Sequence, residues 1–216
     1  NHANVTGTLQ LLHAAAEEKV SRVIYAASSS AYGDSEVLPK HEGMMGKPMS
    51  PYAVSKYAGE HYCKAYYEVF GLETLSLRYF NVFGPKQDPD SEYSAVIPKF
   101  IHSIKHDESP IIYGDGKQSR DFTYIDNVVS ANISAANAPR LRGEAVNIGS
   151  GERIDLNHLV LKLNKIAGKD IKPAYEAERA GDVKHSLADI TLAEKLIGYR
   201  PHVSFVEGLK RTSAWF

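Results

Sequence analysis

Ala53, Val54, Ala58, Tyr62, Ala65, Tyr66 and Val69 form one apolar stripe at helical spacing, with polar residues between them. The pattern predicts a helix with defined ends. Ser50 suits the N-cap, Pro51 the first helical position, and Gly71 a left-handed C-cap. Val5, Leu9, Leu12 and Ala16 likewise place a helix within 1–19. Arg22 to Ala27 reads as a buried parallel strand ending in Ser28-Ser29-Ser30. Thr74 to Tyr79 alternates as a short strand, and residues 38–49 form a glycine- and proline-bearing loop.

Beyond Val82 the elements are shorter. Val96–Lys105 reads as a helix with Ile97, Phe100, Ile101 and Ile104 on its apolar side. Strands are expected at 110–113, 120–125 and 145–149. Helices are expected at 126–136, 156–167, 191–197 and 206–215. Strands followed by helices indicate an α/β fold.

Composition narrows the function. The 216 residues are 43% hydrophobic, enough for one full domain or two small ones. A formal charge of −1 argues against a nucleic-acid partner. No apolar run approaches a membrane span. The one cysteine, Cys63, excludes a disulfide framework and fits a reducing, cytoplasmic setting.

Tyr52 and Lys56 lie four apart near the start of their helix, so both project from one side. An ammonium near a phenol favours the phenolate, as does a helix N-terminus, and that suits a general base. A second Tyr-x-x-x-Lys pair, Tyr113 and Lys117, encloses two glycines and reads as a strand entering a turn. The run Gly114-Asp115-Gly116 lacks the third glycine and the following helix that a dinucleotide loop requires. His102 and His106 share metal-ligand spacing without an acidic third ligand nearby, and read as a solvated helix surface. No metal is expected.

The strand ending in Ser28-Ser29-Ser30, followed by Tyr32-Gly33, then Tyr52-x-x-x-Lys56, then Arg78-Tyr79-Phe80-Asn81-Val82-Phe83-Gly84-Pro85, resembles the extended short-chain dehydrogenase/reductase family. The chain looks most like its nucleotide-sugar 4-epimerases, above all those acting on UDP-N-acetylglucosamine. The resemblance implies NAD as cofactor and a UDP-sugar as substrate. It implies Ser28, Tyr52 and Lys56 as catalytic residues. Tyr52 would take the proton of the sugar 4-hydroxyl while hydride passes from C4 to NAD⁺, and the 4-keto sugar would turn before hydride returns to its other face. Asn4, Ala26, Ala27, Tyr52, Lys56 and Tyr79 are the implied cofactor contacts. Ser28, Ser29, Ser30, Asn81, Ala95, Val96, Ile97, Ile112, Tyr113, Arg120, Arg179, Asp182 and Ser186 are the implied substrate contacts. The related 4,6-dehydratases carry an Asp–Glu pair where Ser29 and Ser30 stand, which disfavours elimination. Ser30 also argues, less strongly, against the uronate decarboxylases.

Ser186 bears on the sugar. Relatives restricted to glucose and galactose can carry a Tyr at this position, and a small residue leaves room for an acetamido group. The expected preference is therefore UDP-GlcNAc/UDP-GalNAc. The alternatives are a UDP-glucose or UDP-glucuronate 4-epimerase and, more distantly, a non-catalytic dinucleotide sensor.

The family's glycine-rich pyrophosphate loop has no counterpart in this sequence, so the expected fold is the C-terminal part of a Rossmann-like doubly wound parallel sheet with a smaller α/β substrate-binding domain. Residues 1–84 and 118–140 are assigned to the sheet domain, and 85–117 and 141–216 to the substrate domain. A chain starting inside a helix without Met is expected to be an incomplete gene product that alone does not bind NAD. The resemblance further implies a homodimer through the helices near 4–19 and 51–70.

Overall fold

The computed structural model describes residues 1–88, 96–178 and 183–216. A π-helical turn, His2–Gly7, leads into α1 (Thr8–Glu17). Then follow β1 (Arg22–Ser28), a 3₁₀ turn at Ser29–Tyr32, α2 (Pro51–Phe70) and β2 (Glu73–Tyr79). β3 (Val82–Phe83), α3 (Val96–Lys105), β4 (Ile111–Tyr113), β5 (Ser119–Arg120), β6 (Thr123–Tyr124) and α4 (Ile125–Ala136) come next. β7 (Glu144–Ile148), β8 (Ile154–Asp155), α5 (Leu156–Ala167), β9 (Ala174–Glu176), α6 (Thr191–Ile197) and α7 (Phe205–Trp215) complete the order.

The central sheet is parallel, in the order β1-β2-β7. β2 is buried on both faces, as its alternation allows. Leu75 and Leu77 enter a core with Val128, Ala131 and Ala135 of α4, Val146 and Ile148 of β7, and Ala193 and Ile197 of α6. On the other face, Thr74 and Arg78 meet α2: the Thr74 hydroxyl donates to the Cys63 carbonyl, and Arg78 makes a buried bidentate pair with Glu60. Leu12 and Ala15 of α1 pack there with Cys63 and Tyr66. Helices on both faces of a parallel sheet make it doubly wound, as expected.

A second core joins α3, α5 and α7 through Ile97, Phe100, Ile101, Ile104, Leu159, Leu163, Phe205 and Leu209. Three two-stranded ribbons, β3-β6, β4-β9 and β5-β8, border it.

The division expected at residue 141 needs correction. β7 pairs with β2 in the main sheet, and α6 packs on that sheet's core. Residues 144–148 and 191–197 therefore belong with the sheet, while Phe122 and Tyr124 enter the second core. Local hydrophobic pattern marks a strand but not the sheet it joins. The single strand expected at 120–125 is two, broken at Asp121, whose carboxylate turns inward to accept from the backbone N–H of Ser150, Gly151 and Ala188.

Candidate active site

β1 delivers the serine triplet to the carboxyl edge of the sheet. The Ser28 hydroxyl accepts from the Ser30 backbone N–H at 3.2 Å and from the Ser30 hydroxyl at 2.9 Å. α2 begins beside it. The Ser50 hydroxyl caps the Ala53 N–H at 3.1 Å, Pro51 occupies the first turn, and Gly71 ends the helix at φ 71°. Gly59 lets α2 approach β1 closely, because a Cβ there would lie 2.2 Å from the Tyr25 hydroxyl oxygen.

Tyr52 and Lys56 thus stand at the sheet's carboxyl edge. Lys56 donates to the Ala26 carbonyl at 2.8 Å and lies 5.3 Å from the Tyr25 ring centroid, and burial holds its pKa below the ordinary ammonium value. No hydrogen bond joins it to Tyr52 among the described residues.

A cleft of about 450 Å³ opens here, lined by Ala27, the three serines, Tyr52, Tyr79, Asn81, Arg120 and Ser186 among others. Three phenols share it. Tyr32 donates to the Asn147 amide oxygen at 2.7 Å, and burial pushes its pKa up to about 12. Tyr79 is bonded to Asn132, and burial raises its pKa as well. Tyr52 is 51% exposed, and its hydroxyl has no hydrogen bond among the described residues. It is the phenol free to serve a ligand.

Asn81 and Ser186 meet directly. Asn81, at φ 30°, donates to the Asp121 carbonyl at 2.9 Å and to the Ser186 hydroxyl at 3.2 Å. The Arg120 guanidinium donates to the Ser119 and Lys184 carbonyls. A neighbouring cleft of about 290 Å³ holds Tyr113, Lys117, Lys184 and His185, and Val183 lines both.

Other expected residues lie elsewhere. Asn4 donates to the Ser55 hydroxyl at 3.0 Å, which donates to the Tyr52 carbonyl, so its amide braces α2. Ile97 and Ile112 are fully buried in the second core, with Val96 packed against it. Ala95, Arg179 and Asp182 lie outside the described residues. Gly114 and Gly116 turn the chain from β4 towards β5 rather than into a helix. The rings of His102 on α3 and His106, just past its end, are tilted with centroids 4.2 Å apart, with no third metal ligand among the described residues.

Lys40, also in the cleft wall, escaped sequence reasoning, since nothing in its local pattern distinguishes it from a solvated loop lysine. It is 1% exposed.

The chain's own residues fit part of a dinucleotide site. Ala26 is exposed beside the Lys56 ammonium at the end of β1, leaving backbone that a ribose can approach.

A model of the NAD dependent epimerase/dehydratase family matches residues 1–149. A putative UDP-glucose 4-epimerase of Methanocaldococcus jannaschii is 39% identical over 98% of this chain and 68% of its own length. The UDP-N-acetylglucosamine 4-epimerase of Methanobrevibacter ruminantium M1, solved with UDP-N-acetylmuramic acid, superposes with a TM-score of 0.96 at 41% identity, covering all of this chain and 69% of that one. The Bacillus cereus UDP-glucuronic acid 4-epimerase, solved with UDP-glucuronic acid and NAD, gives 0.91 at 35% identity, covering 98% of this chain and 66% of that one. The chain thus spans about two thirds of these proteins.

Proposed function

Because this chain belongs to the NAD-dependent epimerase/dehydratase family, we propose that it carries the catalytic and substrate-binding part of a UDP-sugar 4-epimerase, with UDP-GlcNAc/UDP-GalNAc as the preferred pair. The observation that carries this reading is the convergence of Ser28, Tyr52, Asn81, Arg120 and Ser186 on one cleft.

NAD, when bound, supplies the oxidant for C4. The chain's residues handle the proton and the orientation. Tyr52 accepts the 4-hydroxyl proton and returns it after the sugar turns. Ser28 hydrogen-bonds the same oxygen. Lys56 supplies a positive charge to the phenolate and meets the cofactor ribose, Ala26, Ala27 and Tyr79 border the cofactor, and Asn4 braces α2 through Ser55. Asn81 and Arg120 hold the diphosphate, where a planar donor fork suits phosphate oxygens. Tyr113 and Val183 lead the cleft towards the nucleoside. Serines at 29 and 30 supply no acid–base pair for eliminating water, which supports epimerisation over dehydration. The small Ser186 supports the acetamido preference. α1 and α2 expose Leu11, Val54, Val69 and Phe70, which supports a homodimer through these helices.

The test is turnover by the full-length protein with NAD, followed by proton NMR of the anomeric signals, with UDP-GlcNAc and UDP-glucose supplied separately. UDP-GalNAc should accumulate. Tyr52→Phe should lower kcat on the order of a thousandfold. Conversion of UDP-glucose alone would refute the acetamido preference. A fully active Tyr52→Phe protein would refute the assigned chemistry.

A further inference from the structure

The Lys56 nitrogen has two partners among the described residues, the Ala26 carbonyl at 2.8 Å and the Tyr25 ring, whose centroid lies 5.3 Å away. Neither is a carboxylate, and burial works against the charge. An ammonium carries three donors. One is spent on Ala26, and the epimerase reading needs the others for the phenolate and a ribose. Whatever offsets the burial must therefore act without taking a donor.

The Tyr25 ring meets that requirement. An aromatic face within about 6 Å attracts a cation through its quadrupole and uses no N–H. The ring is also held in place. The Tyr25 hydroxyl donates to the backbone carbonyl of Lys56 itself at 3.4 Å, and it meets the Thr8 hydroxyl of α1. α2 gives up a side chain to admit it. A Cβ at Gly59 would lie 2.2 Å from the Tyr25 hydroxyl oxygen and 2.4 Å from the ring carbon that bears it, and a glycine inside a helix weakens the helix. Burial pushes the Tyr25 pKa up to about 12, so this phenol stays neutral and does not compete with Tyr52 as a base.

The other groups around the ring do not replace it. Glu60, one turn further along α2, is bound to Arg78 of β2. Cys63 of α2 is a thiol whose pKa burial pushes up to about 11. Tyr32 of the 3₁₀ turn is bonded to Asn147, and Asn4 of the π-helical turn is neutral and bonded to Ser55.

On the epimerase reading above, we propose that Tyr25 is a positioning residue for the reaction: its ring keeps the Lys56 ammonium charged at the carboxyl edge of the sheet, with two donors left for Tyr52 and the ribose. A weaker ring face lowers the pH at which Lys56 loses its proton. Above that pH the Tyr52 phenolate loses the charge that favours it.

The experiment places at position 25 either phenylalanine (Tyr25→Phe) or a trifluorinated phenylalanine, of similar shape but with a depleted ring face. The full-length, NAD-bound protein, labelled at lysine Cε, is titrated by NMR, and Lys56→Met assigns the signal. In parallel, kcat and KM for the UDP-sugar it turns over are followed against pH. Tyr25→Phe should titrate like the wild type. The fluorinated ring should bring the Lys56 titration down by about half a pH unit. The alkaline limb of kcat should move with it, while KM holds. Identical Lys56 titrations with the two rings overturn the Tyr25 assignment, as does a shifted Lys56 that leaves the kcat profile in place. A wild type inactive on both UDP-GlcNAc and UDP-glucose overturns the epimerase reading instead, and the Lys56 titration still decides whether the ring holds the ammonium.

Discussion

Tyr52 stands out because the other two phenols in its cleft are already committed. Tyr32 and Tyr79 are bonded to Asn147 and Asn132, and burial raises both pKa values. The spacing of Tyr52 and Lys56 made the pair legible in the sequence. That Lys56 spends a hydrogen bond on the Ala26 carbonyl was not, because that contact spans 30 residues. Ser186 shows the same limit. Its small size is readable, while its bond to Asn81 closes over 105 residues. Ser186 is 7% exposed, so a larger side chain must either fill the cleft or displace its neighbours. Ser186→Tyr should lower kcat/KM for UDP-GlcNAc by at least about tenfold more than for UDP-glucose. Steady-state kinetics on both sugars, with thermal unfolding as a folding control, checks this. Equal losses would mean that Ser186 only supports Asn81.

At the scale of elements, legibility tracked length. α2 has all its signals within 22 residues: the Ser50 cap, the Pro51 start, the apolar stripe and the Gly71 stop. Such local agreement needs no distant partner. β3, β5, β6 and β8 have two residues each, too few to express a period. They exist because distant segments meet; β5, for example, pairs with β8 through Ser119–Asp155 and Arg120–Ile154. The outer faces of α1 and α2 carry the second prediction. Val69 is 71% exposed, Phe70 60% and Leu11 57%, and apolar side chains gathered on neighbouring helices mark an interaction surface. Sedimentation of the full-length protein should give a dimer, and Val69→Glu should shift it towards monomer. A monomeric wild type would remove the homodimer proposal.

At the scale of the whole molecule, Asn147 ties the site to the sheet. It lies on β7, accepts from the Tyr32 hydroxyl, and donates from its amide to the carbonyls of Lys40 and Asp189. It is fully buried. Asn147→Leu leaves the Tyr32 hydroxyl and the Asp189 carbonyl without this partner, removes one of the two bonds to the Lys40 carbonyl, and should cost about 3 kcal/mol. The melting temperature of the full-length, NAD-bound protein should then fall by about 5 °C. A change under about 2 °C would show that the network does not hold the Lys40 segment. Read as a strand residue alone, Asn147 gives no hint of this role, because its partners lie 42 to 115 residues away.

Local sequence was sufficient for the α/β class, the long helices and their ends, and the spacing of Ser28, Tyr52 and Lys56, because caps, helical periodicity and motif spacing act over a few residues. Tertiary structure alone decided that β7 and α6 return to the main sheet, that Asp121 breaks an apparent strand, and that Lys40 lies buried in the cleft wall with its ammonium on the Ser35 carbonyl. Those outcomes depend on burial and on hydrogen bonds between segments far apart in the chain, which no local pattern encodes.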